Sequence, residues 1–94
     1  MQFRYNHEKN AKLLAERSIG FEEIIQAIAD GNILDIRMRH KQDKYPNQHI
    51  LYVRILDEVY AVPYVTEENN VIFLKTLFPS RKARKAFLHQ IINQ

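Results

Sequence analysis

Four cations crowd the segment Arg81-Lys82-Ala83-Arg84-Lys85, directly after Pro79 and a serine suited to cap a helix, Ser80. At about 100° per residue, Arg81, Lys82, Lys85 and His89 fall within one arc of a helix running from Arg81 to about Ile92. Ala83, Ala86, Phe87 and Ile91 take the opposite arc, so one side packs and the other is cationic. The helix dipole disfavours cations in the first turns by roughly 0.3 to 1 kcal/mol each. A bound anion reverses that cost, and backbone amides at a helix start beside an Arg fork suit a phosphate. The chemistry expected of this segment is contact with a nucleic-acid backbone. The competing expectation is a solvated charged face, partly paired with Glu67, Glu68 or the chain terminus.

Two further residues interrupt apolar rows. Lys75 shares an expected strand face with Val71, Phe73 and Leu77, so its ammonium must snorkel to the sheet margin or point into a cleft. If the turn Glu67 to Asn70 pairs Thr66 with Val71, then Val62 faces Lys75, with Tyr60 and Tyr64 flanking it. A lysine between tyrosines can hold a phosphate and stack a base, and it can equally be a packed edge. Arg54 stands between Tyr52 and Leu56 at period two, either as a structural ion pair or as an active-site cation. Arg37 and Arg39 share a face with Asp35, which is as much a half-exposed strand as a binding row.

An imidazole ordinarily titrates near neutrality, yet no spacing among His7, His40, His49 and His89 supports an acid–base pair. No second His at helical spacing and no carboxylate cluster suits a metal. A G-x-S-x-G elbow, a phosphate-binding glycine loop and a dinucleotide fingerprint are all missing from the sequence, so neither metabolic catalysis nor a cofactor is expected.

The elements that must carry these residues follow from capping and periodicity. Asn6 can cap a first helix over about residues 7 to 18, with Ala11, Leu14 and Ala15 at helical spacing and Phe3 and Tyr5 preceding it as an extended arm. A second helix is predicted from about Phe21 to Asp30, with Phe21, Ile24, Ile25 and Ile28 in one stripe and Gly31 at its left-handed end. After Gly31 the period changes to two, predicting four strands: Ile33 to Arg39, His49 to Leu56, Val59 to Thr66, and Val71 to Leu77. Their short connections imply an antiparallel meander. Pro63 is awkward in the third, because a proline cannot donate to a ladder; a bulge or an outward-facing nitrogen is expected there. The expected architecture is α+β: two N-terminal helices, a four-stranded antiparallel sheet and a C-terminal helix.

Composition bounds the class. Ninety-four residues, 46% hydrophobic and 27% charged, predict one domain spanning 1–94 rather than a disordered chain. Zero Cys excludes disulfides, thiolate catalysis and zinc ribbons; no apolar run approaches the roughly 20 residues of a membrane span. The opening MQFRYNHEKN has no apolar signal region, and a cytoplasmic location is expected. Fourteen Lys and Arg against 11 acids give +3, a modest pointer to a polyanion.

The opening FRYNHEKNAKLL, then IGFEEIIQAI, the strand pair ending in YAVPYV and the closing FLKTLFPSRKARKAF resemble the BrnT-like toxins of bacterial type II toxin–antitoxin modules, over almost the whole chain. Tyr5-Asn6 stands where those toxins often have Trp-Asp, and Ala86 or Phe87 where an acid often follows the basic cluster. The resemblance implies a RelE-like α+β fold and RNA cleavage or another block of translation. It also implies silencing by a cognate ribbon-helix-helix antitoxin. A homodimer, or a hetero-oligomer with that antitoxin, is the expected assembly. On matching positions the resemblance carries over Lys9, Arg54, Lys75, Arg81 and Arg84.

The expected reaction is metal-independent attack of a ribose 2′-hydroxyl on the adjacent phosphate, on free or ribosome-bound RNA. Arg81 and Arg84 would neutralise the phosphoryl oxygens, Lys75 or Arg54 would stabilise the leaving oxygen, and an imidazole or Tyr64 would move the proton. Lys9, Lys82, Arg84, Lys85, His89 and Tyr64 would bind RNA. Two other classes stay open: a non-catalytic nucleic-acid-binding module on the same basic helix, and an interaction protein whose Leu88 and Ile92 meet a partner.

Overall fold

Helix α1, His7–Arg17, starts where Asn6 Oδ1 accepts the Lys9 amide at 2.8 Å, in a computed structural model that describes residues 2–89. It ends at Ser18, left-handed at φ 60°, whose amide closes on the Leu14 carbonyl. Its buried residue is Leu13; the expected stripe Ala11, Leu14 and Ala15 is exposed, with Leu14 lying over Gly20 at the turn into the next helix. Helix α2, Phe21–Ala29, buries Phe21 and Ile24 completely and Ala27 nearly so, and Gly31 follows it at φ +79°.

Among the described residues the sheet is mixed and has six strands rather than four antiparallel ones. They are β1 (Gln2–Arg4), β2 (Ile33–Met38), β3 (Gln48–Ile55), β4 (Glu58–Thr66), β5 (Val71–Leu74) and β6 (Phe78–Pro79). Their order is β1-β5-β4-β3-β2, with β6 also on β4. Antiparallel pairing joins β2 to β3, β3 to β4, and β4 to β5, but β1 runs parallel to β5, Phe3 against Ile72. The arm expected only to precede α1 is therefore also one edge of the sheet.

Pro63 accounts for the division of the expected strand Val71 to Leu77. Its carbonyl accepts the Lys75 amide at 2.8 Å, so its nitrogen, which has no hydrogen, faces the same neighbour. There the ladder stops at Tyr64 opposite Leu74 and resumes one residue out of step at Ala61 opposite Phe78. The turn before β5 also differs from expectation. Asn69 and Asn70 are both left-handed, widening it into a 3-10 turn that pairs Thr66 with Ile72 instead of Val71. A one-residue slip exchanges faces, so Lys75 stands against Pro63 rather than Val62, and neither Tyr60 nor Tyr64 shares its side.

Alternation then divides the sheet. Leu51, Val53, Val62 and Leu74 point to one face, where they pack with Leu13, Ile19, Phe21 and Ile24 of the helical hairpin. Tyr52 and Val59 point to the other, where they meet helix α3, Arg81–Ala86, through Ala83 and Phe87. The helix expected to run to Ile92 instead ends at Ala86, with a turn at Phe87 before the helical residues Leu88 and His89, and the expectations for Ile91 and Ile92 lie outside the described residues. Among the described residues no helix is long and apolar enough to cross a membrane.

Candidate nucleic-acid interface

The face that carries α3 gathers cations from three strands and from Lys75, just beyond β5. Cross-strand register sets Arg54 opposite Val59, Arg37 opposite Ile50 and Arg4 opposite Phe73, all on the side of Tyr52 and away from α1 and α2. Lys75 follows two residues after Phe73, exposed, with its ammonium 5.7 Å from that ring, and the Arg4 guanidinium lies 5.6 Å from the same ring. Arg4 also reaches Glu67 at 2.7 Å, an exposed pair.

Beside α3 lies a cleft of about 210 Å3, lined by Arg37, His40 and Lys82 as its basic groups and by Tyr52 and Phe87 as its rings. The Arg37 guanidinium sits 5.7 Å from the Tyr52 centroid and 5.8 Å from that of Phe87, and its Nε donates to Asp35 Oδ2 at 2.6 Å. That Arg37 bond first, and then the Ile36 amide on Oδ1, hold the Asp35 carboxyl below its ordinary range. Cationic side chains interleaved with aromatic planes can neutralise phosphate and stack bases.

A second gathering stands at the turn between β3 and β4. Arg54 Nε donates to the Leu56 carbonyl at 2.8 Å and Arg84 Nε to that of Asp57 at 2.5 Å, so two guanidinium groups hang on adjacent carbonyls. Arg81, Lys82 and Lys85 are exposed on α3, and among the described residues no carboxylate lies within ion-pair distance of these three or of Arg84. His89 is exposed beyond the helix.

The helix electrostatics differ from expectation. α3 has six residues, and Ser80 Oγ already accepts the Ala83 amide at 3.1 Å. Arg84 and Lys85, expected to crowd the first turns, occupy the last turn, where the dipole favours cations. The side chains around α3, rather than its backbone terminus, carry the positive potential.

Two expected site residues are not on this face. Tyr64 is 9% exposed within the core under α1 and α2, stacked on His49 at 5.6 Å, and burial pushes its phenol upward. Lys9 belongs to α1, whose Leu13 packs into that same core. Conversely, sequence reasoning left Arg37 undecided and assigned no role to His40, Tyr52 or Phe87 at one place. The available signal was the alternation Asp35, Arg37 set against Ile50, Tyr52, Arg54, which becomes informative only once β2 is paired with β3.

Among the described residues no group of three or more His, Cys, Asp or Glu is placed to hold a metal ion. Comparison of the chain with protein-family profiles, with curated proteins and with solved structures returns no match.

Proposed function

We propose that this protein is a toxin of the type II toxin–antitoxin kind, a metal-independent endoribonuclease of RelE-like architecture that blocks translation and is neutralised by a cognate antitoxin. The observation that supports it best is the basic, aromatic-lined cleft at Arg37, His40 and Lys82, set on a sheet face with further cations at Arg54, Lys75, Arg81 and Arg84. In the proposed step the 2′-oxygen attacks phosphorus and the bond to the 5′-oxygen breaks. The proton leaves the 2′-hydroxyl and ends on the 5′-oxygen, giving a 2′,3′-cyclic phosphate and a 5′-hydroxyl. Arg81, Lys82 and Arg37 stabilise charge on the phosphoryl oxygens, and Arg54 or Lys75 attends the leaving oxygen. His40 lines the cleft and takes the proton-moving role for which Tyr64, buried on the opposite face, is badly placed.

One observation favours the other reading, a binding module without catalysis: the Nε atoms of Arg54 and Arg84 are spent on backbone carbonyls. Incubation with total RNA in chelator separates the two. Cleavage to cyclic-phosphate ends that is lost in Arg81→Ala and His40→Ala supports the nuclease, whereas retention of RNA with intact chains over pH 6 to 8 supports the module. In either case Lys82→Ala should weaken RNA binding about three- to tenfold and lower the salt slope by about one. Growth arrest on expression that Arg81→Ala fails to relieve would remove that residue from the site.

A further inference from the structure

Among the described residues the sheet ends on β2, whose outer edge no strand covers. The Arg39 amide donates to the Gln48 carbonyl across the β2–β3 register, so by alternation Asp35 and Arg37 turn their backbone groups inward and Ile36 and Met38 turn theirs outward. The outward Ile36 amide is held by its neighbour's Asp35 Oδ1 at 2.8 Å. Ile33, Ile36 and Met38 are 40%, 50% and 64% exposed, and Ile33 and Ile36 form one wall of an apolar groove of about 540 Å3 whose other walls include Ile28, Leu51 and Ile72. A bare edge with exposed apolar side chains is a pairing surface.

The order Asp35-Ile36-Arg37 says what fits it. Reversed by a two-fold axis through Ile36, the segment sets each Asp35 against Arg37 of the other copy and Ile36 against Ile36, with opposite charges on one face and an apolar contact on the other. We propose that a second copy of this chain pairs along β2 in this antiparallel register. Each Ile36 amide then donates to the Ile36 carbonyl of the other copy, and each Asp35 carboxylate exchanges that amide for the guanidinium across the axis. The axis stands perpendicular to the sheet, so both copies present α3 and its cleft on the same side. The pairing does not depend on the proposed nuclease activity.

The charge pattern supplies its own test. In sedimentation equilibrium of the purified full chain, Asp35→Arg and Arg37→Asp should each weaken self-association about tenfold or more, because like charges then face each other. An equimolar mixture of the two variants should recover it as a hetero-pair, since a chain with two cations at these positions meets one with two carboxylates. The ion pair within β2 is broken in both variants, so its loss cannot produce that recovery. Hydrogen exchange at the Ile36 amide of the unaltered protein should slow as protein concentration rises, and this reading stands even where a variant fails to fold. An unaltered protein that stays monomeric to about 100 micromolar, association indifferent to both substitutions, or a mixture that does not associate would each overturn the pairing.

Discussion

Tyr64 shows how one side chain sets a pH limit. Its phenol is 9% exposed and burial raises its pKa above the ordinary value of about 10. A pKa raised by folding stabilises the native state fully below the unfolded value, and that contribution is lost as pH climbs through the folded one, because the unfolded chain ionises first. Tyr5 acts with the same sign, chiefly because its hydroxyl donates to Glu22. The melting temperature should therefore fall between pH 9 and about pH 11, and Tyr64→Phe should flatten the fall without abolishing it. Thermal unfolding followed by circular dichroism decides; an unchanged slope in Tyr64→Phe would assign the loss elsewhere. The same residue marks a limit of sequence reading, since whether Lys75 shares its face depends on a register that two left-handed asparagines shift by one position.

At the scale of elements, the junction of α1 and α2 is built around Gly20 and Asn10. Asn10 Oδ1 accepts the Phe21 amide at 2.7 Å, satisfying a first-turn donor that Gly20, with no side chain, leaves open. A Cβ on Gly20 would come within 2.4 Å of that oxygen and 3.1 Å of Leu14 Cγ. Gly20→Ala should accordingly cost about 1–3 kcal/mol, and Asn10→Ala a comparable amount by stranding the Phe21 amide, both measured by urea unfolding. Additive costs in the double variant would show that the two residues do not share one contact. The apolar stripe of α2 and the left-handed end at Gly31 were legible in the sequence because a strong 3.6-residue period and a glycine carry them locally. The parallel pairing of β1 was not, since a three-residue strand has no period and its partner lies at the far end of the chain. The site divided likewise: the basic run on α3 was visible as a run, whereas the cleft beside it needs Arg37 and His40 brought in by the β2–β3 pairing.

Across the whole molecule, two unequal cores lie on either side of one sheet. The larger holds Phe21, Ile24, Val53, Val62 and Leu74 under the helical hairpin, and the smaller is little more than Val59 and Ala83 with Leu34, Tyr52 and Phe87 around them. Stability therefore resides on the side of α1 and α2, which frees the other side to accumulate charge. The pairing of Gln2 and Phe3 with Val71 and Ile72 has a kinetic consequence. A β1 strand synthesised first must wait for β5, so closing this loop carries the largest chain-entropy cost in the fold and comes after the meander has condensed. Phe3→Ala should speed unfolding in stopped-flow denaturant jumps while leaving the folding limb nearly unchanged. During vectorial synthesis the nascent chain would hold β1 idle until β5 has left the ribosome, and residues made well before β5 would seal that edge of the finished sheet.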